Sequence, residues 1–401
     1  MRLSSLEIAT GLLPGNMRTL PASYAGPRLS PREALERSCL DALLHAPCFV
    51  SFSGGLDSSL VLAVATRVAR QEGLPDPIPA TNRFPAIAHT DESEMQEVVV
   101  RHLGLGDWAT VDLHEELEVV GPVAARALSR HGLLWPFNAH FHVPLLELAR
   151  GGTLITGIGG DELFSPPRSA RAVDVLAGRV RPRPRDALHV GFLAAPSPIR
   201  SAVLTRRFPA AFPWLLRSAR RDLAKLWAAD AAAEPARFGA RVERLNSRRY
   251  LRVGLRSLDL LAADAGSRIA HPLTDMGLAV ALAGRVGWSG FAGRGDALRA
   301  LFPGLLPEAL LRRGTKARFE GAFWGSQSRS LVASWAGEGT DPAVVDRDAL
   351  RREWGKPQPD GHTYLMLQAA WLERGSRMGP NSYGSTFDQW HPVRMPPRLS
   401  V

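Results

Sequence analysis

Two glycine-rich segments contain the residues whose types and spacing could do chemistry. The first, SGGLDSS at residues 53–59, follows a short apolar run and precedes a helical pattern. Its glycines let backbone N–H groups approach an anion, and the first turn of a helix favours negative charge. Asp57 would repel a phosphate group unless it also bound Mg²⁺, which prefers carboxylate and phosphate oxygens. The segment predicts a phosphate site without the lysine of a Walker P-loop, and the simpler alternative is a glycine turn with a serine cap.

The second segment, TGIGGDELF at residues 156–164, also follows an apolar run. Loops at the carboxyl ends of parallel strands form the ligand-binding edge of an α/β sheet. Three glycines and two adjacent acids suit such a loop, and Asp161 is the predicted second ligand of Mg²⁺. Taken alone, the segment could be a helix cap. The two segments together predict one nucleotide site.

Strand and helix patterns alternate around these segments. Short apolar runs predict strands, and apolar residues with a period near 3.6 predict helices between them. The predicted strands are residues 48–52, 78–84, 108–113 and 153–156, and the predicted helices are residues 31–44, 60–73, 92–103, 121–131 and 141–150. This alternation predicts an α/β fold with a doubly wound parallel sheet.

The character of the chain changes after about residue 165. A Pro- and Arg-rich stretch without a clear period follows, and beyond it helical patterns dominate. We therefore predict four parts: an N-terminal extension over 1–30, a nucleotide-binding core over 31–165, a mainly helical part over 166–377 and a Pro-rich tail over 378–401.

Composition and charge exclude several classes of protein. The 401 residues are 45% hydrophobic and 22% charged, as in globular proteins. The formal net charge is +10, but 46 of the 49 basic residues are arginines scattered along the chain, so no nucleic-acid partner is expected. Because arginine is so strongly favoured in this chain, the lysine at position 316 predicts a role that is specific to lysine.

Cysteine usage and hydropathy predict a location in the cytoplasm. Cys39 and Cys48 are the two cysteines of the sequence, and they form neither a disulfide framework nor a metal motif. No apolar run reaches 18 residues and the N-terminus lacks the layout of a signal peptide, so no membrane association is expected.

At this point the chain resembles a known family. SGGLDSS is the pyrophosphate-loop (PP-loop) signature of the N-type ATP pyrophosphatases, and GIGGDELF, about a hundred residues later, resembles the synthetase domain of the asparagine synthetase family. Residues 259–275 resemble the helix and Pro-x-x-Asp turn of that family, and Asp275 is predicted to hold the turn. Residues 311–325, LRRGTKARFEGAFWG, resemble its basic catalytic segment and are closest to the lasso-peptide cyclase branch.

The resemblance implies an ATP-dependent ligase that uses Mg²⁺. A substrate carboxylate would attack the α-phosphate of ATP, and an amine would then attack the acyl-adenylate to give an amide and AMP. By resemblance, the first loop cradles the pyrophosphate with Ser53, Gly54, Gly55, Asp57 and Ser58. Mg²⁺ is held by Asp57 and Asp161, and the nucleotide lies against Thr156 and Gly157 of the second loop. Lys316 faces the α-phosphate.

Three departures from the family pattern bear on the substrate. Asparagine synthetases carry a glutaminase domain with a cysteine after the initiator Met, whereas this sequence has Arg2, and residues 11–15 weakly resemble the end of that missing domain. Nitrogen would then come from ammonia, a partner protein or a substrate amine. Ile158 replaces a carboxylate or, in the β-lactam-forming branch, a tyrosine, and Arg268 aligns with a usual acid. These changes favour a small-molecule or peptide carboxylate and an amine acceptor in peptide or natural-product biosynthesis.

Three alternatives stay open at the level of sequence. The first is an ammonia-dependent asparagine synthetase, against which Ile158 and Arg268 count. The second is an RNA-modifying pyrophosphatase, which fits the positive charge but not GIGGDELF. The third is a catalytically impaired subunit that binds ATP or a peptide and assists a partner, against which the intact Asp57, Asp161 and Lys316 count.

Overall fold

Five parallel strands form the single sheet that carries the glycine-rich segments. A computed structural model describes residues 2–17, 26, 28–167, 169–208, 211–313 and 319–378. The strand order is β3-β2-β1-β4-β5. The strands are β1 Cys48–Ser51, β2 Ile78–Arg83, β3 Ala109–Asp112, β4 Thr153–Ile155 and β5 Arg268–Ala270. The predicted parallel α/β sheet is confirmed. The central pair is β1 and β4, in which Phe49 lies beside Leu154 and Val50 beside Ile155.

Helices cover both faces of the sheet. Side chains alternate along a strand, so Val50 and Ile155 pack into the core on one face while Phe49 and Leu154 pack into the core on the other. Burying each such side chain contributes about 1.5–3 kcal/mol. The helices up to the end of this region are α1 Ser5–Thr10, α2 Pro31–Leu43, α3 Leu56–Gln71, α4 Ser93–Leu103, α5 Pro122–His131, α6 Val143–Leu148 and α7 Gly160–Phe164.

The rest of the described chain is mainly helical, as predicted. Its helices are α8 Ala170–Leu176, α9 Asp186–Ala194, α10 Ser197–Arg206, α11 Arg217–Ala232, α12 Phe238–Glu243, α13 Arg249–Ala265, α14 Met276–Arg285, α15 Arg294–Leu301, α16 Glu308–Leu311, α17 Ser326–Ala333, α18 Arg347–Trp354 and α19 Tyr364–Met378. Helix α8 lies in the stretch that showed no clear period. Asp275 caps α14 by accepting a hydrogen bond from the Leu278 N–H at 3.1 Å, which confirms its predicted role in the turn.

A second, aromatic core joins the N-terminal residues to the last helices. Trp324 stacks on Tyr364 with ring centroids 5.5 Å apart, and the buried Trp214 donates its indole N–H to the Ala9 carbonyl at 2.7 Å. Ala9, in α1, belongs to this core. Among the described residues, no helix combines the length and apolar character needed to cross a bilayer.

Candidate active site

The first glycine-rich segment forms the turn between β1 and α3. Gly54 has φ +77°, a conformation that glycine adopts readily, and Gly55 caps the helix without a side-chain hydrogen bond. The N-cap position of this 16-residue helix therefore supplies no side-chain acceptor for the backbone N–H groups of the first turn. The hydroxyls of Ser53 and Ser58 lie 3.2 Å apart beside these groups. Ser59 is fully buried, so its hydroxyl adds nothing to the surface of the turn.

The second segment folds directly against the first. A Cβ atom on Gly157 would lie 2.8 Å from the Ser58 nitrogen, and one on Gly160 would lie 2.2 Å from Cγ of Asp57. Real Cβ atoms essentially never approach so closely, so both glycines are needed for the contact between the loops. This contact places Asp161, in the first turn of α7, near Asp57, in the first turn of α3.

The contact between the loops predicts a large effect from one added methyl group. Gly160→Ala is expected to displace the Asp57 carboxylate and to reduce ATP turnover about 100-fold, as a misplacement of about 1 Å can do. Gly284→Ala is the matched control, because a Cβ at this helical glycine has no neighbour within 4 Å. Steady-state kinetics and melting temperature would be measured for both. Full activity in Gly160→Ala would contradict the assignment of this contact to the site.

A guanidinium group lies between the two carboxylates. Arg294, the first residue of α15, forms ion pairs with both Asp57 and Asp161. Burial alone would lower the pKa of Arg294, but the two carboxylates raise it above its ordinary value. The sequence gave no sign of this role, because Arg294 is one of 46 arginines and only the tertiary fold brings α15 to the loops.

A cavity of about 420 Å³ opens beside this ion-pair cluster, within the range of small-molecule sites. Its wall includes the first loop, Arg294 and the end of α16, together with apolar side chains. The lining residues are Ser53, Gly54, Gly55, Leu56, Asp57, Ser58, Glu92, Pro166, Arg294, Gly295, Leu310, Leu311, Arg313 and Phe319. Thr156, Gly157 and Asp161 do not line it. Thr156 is buried, and Asp161 reaches the wall through Arg294.

The sequence model of the asparagine synthase family matches residues 32–392, nine-tenths of the chain and both loops of the site. The chain belongs to the asparagine synthase family. A search of the curated proteins found no match. Family membership makes the chain a ligase of the ATP-dependent carbon–nitrogen type, and it agrees with a glycine-rich turn at a helix N-terminus next to a pair of carboxylates.

The donor set fits Mg²⁺ in this asparagine synthase-like site. Two carboxylates already share a cation, the guanidinium of Arg294, so a metal ion could take the same place between them. The described residues contain no group of three or more His, Cys, Asp or Glu side chains that could hold a metal. A bound Mg²⁺ would therefore complete its coordination with phosphate oxygens and water, as this ion commonly does.

Lys316 lies in the segment 314–318, outside the described residues. The residues that flank this segment, Arg313 and Phe319, both line the cavity, and Arg313 forms an ion pair with the buried Glu92. Phe319 also contacts Phe84 and Phe141, which attach it to the sheet region.

The residues that depart from the family pattern have different surroundings. Ile158 is partly buried and packs against the cores on both faces of the sheet. Arg268 is exposed at the amino end of β5. Ligands of a parallel sheet bind at the opposite edge, where the carboxyl ends of the strands lie. The residue that follows β5 is His271, whose Nδ1 lies 2.6 Å from the Thr156 hydroxyl. No local sequence pattern distinguishes His271 from the other histidines.

Two partly buried histidines, His142 and His271, each have one ring nitrogen that is shielded from solvent. Burial, with a smaller effect of charge on His142, lowers the pKa of His271 to about 3, and burial lowers the pKa of His142 to about 4. The Nε2 atom of His271 and the Nδ1 atom of His142 have no hydrogen-bond partner among the described residues. Both histidines are therefore neutral in the folded protein at physiological pH.

This pair predicts a loss of stability in weak acid. A histidine in the unfolded chain has a pKa of about 6.5, so below that pH the unfolded chain binds more protons than the folded protein. Stability should fall as the pH drops from about 6.5 to 4, by at most about 1.4 kcal/mol per pH unit for each histidine. The double variant His142→Asn/His271→Asn should have a smaller decrease in melting temperature between pH 7 and pH 5. An equal decrease in the variant and the parent protein would contradict the neutral assignment.

Proposed function

We propose that this protein adenylates a substrate carboxylate with ATP, releases pyrophosphate, and transfers the acyl group to an amine in peptide or natural-product biosynthesis. The observation that supports it most is the Asp57–Arg294–Asp161 cluster beside the glycine-rich turn that begins α3. This arrangement supplies the donors and charges that a triphosphate and its metal ion need, in a chain of the asparagine synthase family.

The first loop would hold the triphosphate. The N–H groups at the start of α3 and the Ser53 and Ser58 hydroxyls would donate to phosphate oxygens. Asp57 and Asp161 would hold Mg²⁺, which when bound neutralises phosphate charge and stabilises the leaving pyrophosphate. Arg294 would exchange its two carboxylate partners for phosphate oxygens, since a guanidinium pairs equally well with either group.

The walls of the cavity would protect the reactive intermediate. The carboxylate oxygen forms a bond to the α-phosphorus while the bond to the pyrophosphate oxygen breaks, and the amine then displaces AMP from the acyl carbon. Leu310, Leu311 and Phe319 form the apolar part of the wall. Apolar groups exclude water that would hydrolyse the acyl-adenylate.

The apolar contacts of Ile158 support an acceptor other than ammonia. A carboxylate or hydroxyl at this position could help to deprotonate the attacking amine, but Ile158 packs against hydrophobic cores and offers no such group. The substrate amine would then be activated or oriented by other groups, including groups of the substrate itself.

Exchange of labelled pyrophosphate into ATP tests the proposal. Aspartate, other amino acids and short peptides would be supplied with Mg²⁺, and Asp57→Asn would serve as the blank. Exchange that depends on a peptide or a carboxylate other than aspartate is the expected result. Exchange with aspartate alone would instead identify an ammonia-dependent asparagine synthetase. If no exchange occurs, AMP release is measured with candidate amines present, and its absence as well would favour a catalytically impaired subunit.

The exchange of partners by Arg294 makes a separate prediction. Arg294→Ala leaves two carboxylates facing each other, so the variant should bind Mn²⁺ about tenfold more tightly without nucleotide. It should also bind ATP about tenfold more weakly, because a charge-assisted hydrogen-bond partner is lost. Mn²⁺ binding is measured by electron paramagnetic resonance and ATP binding by calorimetry.

The matched control is Arg299→Ala, on the same helix. Arg299 pairs with Asp296 and Glu308 instead of the loop carboxylates. Its loss should change neither affinity. Unchanged Mn²⁺ binding in Arg294→Ala would show that the guanidinium and the metal do not share a place.

A further inference from the structure

A second cavity, with a volume of about 910 Å³, lies beside the cavity that the first loop and Arg294 line. We name it the basic cavity. It is formed by helices α8, α9, α10, α11 and α12 and by the loops around them. This volume is near the upper end of the range for ligand sites, so the cavity could hold several residues of a peptide.

The basic cavity has more positive charge than its own acids can neutralise. Among the described residues, six arginines and three carboxylates line it. Arg171 binds Asp186 through two hydrogen bonds of 2.9 and 2.7 Å, and Arg248 binds Asp230 through two of 2.8 Å. The third acid, Glu234, lies 3.8 Å from Arg241.

Three arginines of the lining remain in excess. In the part of the chain that the structure describes, the guanidinium groups of Arg183, Arg185 and Arg200 take part in no ion pair with a carboxylate. An anionic group that entered the cavity would meet these three side chains without displacing an existing ion pair.

The same cavity also has an apolar side. Phe192, Leu204 and Trp227 contribute to its wall. Helix α9 has the mostly apolar sequence DALHVGFLA, yet only Asp186 within it is buried, and α10 has no buried residue. Leu188 is 78% exposed and Ile199 is 55% exposed on these helices. Leu188 and Ile199 lie outside the lining of the cavity, so the helices that form it also expose apolar side chains beyond it, as binding surfaces commonly do.

The basic cavity adjoins the proposed reaction site. Pro166 is part of the wall of both cavities. Arg241, in the basic cavity, donates hydrogen bonds to the carbonyls of Glu162 and Ser165, at 3.2 and 2.8 Å. These residues directly follow Asp161 in the chain. A molecule in the basic cavity would therefore lie next to the segment that carries a proposed metal ligand.

We propose that the basic cavity binds a segment of the peptide substrate that carries both carboxylate and apolar side chains. This inference rests on the proposed function, since it assigns the binding site of a peptide substrate. Charge complementarity selects this occupant over the chain's own residues 379–401, which contain Arg394 and Arg398 but only one acid, Asp388. The apolar surface of α9 and α10 suits leucine-like side chains.

A peptide selection tests this inference with the full chain. A display library of random twelve-residue peptides is selected for binding, and the affinities of recovered peptides are measured by fluorescence anisotropy. Recovered peptides should be enriched in Asp or Glu together with apolar residues. They should bind about tenfold more weakly to Arg183→Gln/Arg185→Gln/Arg200→Gln, and they should protect α9 and α10 from hydrogen exchange.

The control variant is Arg252→Gln/Arg256→Gln/Arg329→Gln, which removes the same charge from exposed arginines outside both cavities. Its affinities should stay unchanged. The inference is overturned if no acidic peptides are enriched, if the first variant binds them as tightly as the control, or if protection lies elsewhere. Self-association that Leu188→Glu abolishes would assign the surface to a second copy of the chain and would also overturn it.

The same experiments separate the two proposals. Peptide binding that follows these expectations in a protein without pyrophosphate exchange or AMP release would support the binding site and refute the ligase reaction. Exchange that proceeds with a peptide substrate, with equal KM in the two triple variants, would support the reaction and refute the binding site.

Discussion

Asparagine in place of Asp57 should reduce AMP formation by about 10³-fold, or about 4 kcal/mol, and the same change at Asp161 should have a similar effect. Each variant removes one of the two carboxylates proposed to hold Mg²⁺. The remaining carboxylate cannot position the metal ion between the loops and the triphosphate. Both variants should therefore need a higher Mg²⁺ concentration to reach half of their maximal rate. A change in a purely structural residue would not cause this.

Both variants should keep the fold. In Asp57→Asn, Arg294 retains its ion pair with Asp161, so its charge does not lose every partner. The control is Asp107→Asn, which changes an exposed acid in a loop away from the cavity. AMP release, Mg²⁺ titration and melting temperature would be measured for all three variants. Normal turnover in either Asp57→Asn or Asp161→Asn would refute the metal assignment.

Alanine in place of Lys316 should lower the rate of amide formation by a similar factor, about 10³-fold, while the affinity for ATP changes by less than tenfold. A cation at this position is proposed to stabilise charge that develops at the α-phosphate during the reaction. Support comes from the residues that flank segment 314–318, since Arg313 and Phe319 line the cavity. Lys316 is three residues from each, and three residues reach at most about 11 Å.

The lysine prediction has two informative controls. Lys316→Arg should stay impaired, because a planar guanidinium does not reproduce a compact ammonium group. Lys225→Ala removes a lysine on α11 whose side chain is 71% exposed, and it should have the activity of the parent protein. Single-turnover measurements would separate adenylation from amide formation. A Lys316→Ala variant with the parent rate would show that this residue is only surface charge.

The sheet and its helices could largely be predicted, because their residues carry strong local patterns. The four predicted strands lie within two residues of β1, β2, β3 and β4, and the signal is strongest at β1 and β4, which are short apolar runs that lead into the glycine-rich loops. Strand β5 was missed. It has three residues, too few for a periodic pattern, and its pairing with β4 depends on residues far apart in the chain.

The same distinction applies to the candidate site. The two glycine-rich loops could be found because their spacing is itself the signal. Arg294 and His271 could not, because their importance depends on contacts with Asp57, Asp161 and Thr156 that no local pattern encodes. The basic cavity was missed for a similar reason. Its arginines belong to three helices, α8, α10 and α12, and to intervening loops, and they resemble every other arginine of the chain.

The late position of β5 has a consequence for synthesis on the ribosome. β5 pairs with β4, yet Arg268 is translated about 115 residues after its partner Thr153, and Arg294 follows later still. A nascent chain therefore presents both glycine-rich loops before β4 gains its second neighbour and before the loop carboxylates gain their counter-charge. Until then β4 is an open edge strand, which can pair with other chains. The interval between the synthesis of β4 and that of β5 is therefore when this sheet is most exposed to pairing with other chains.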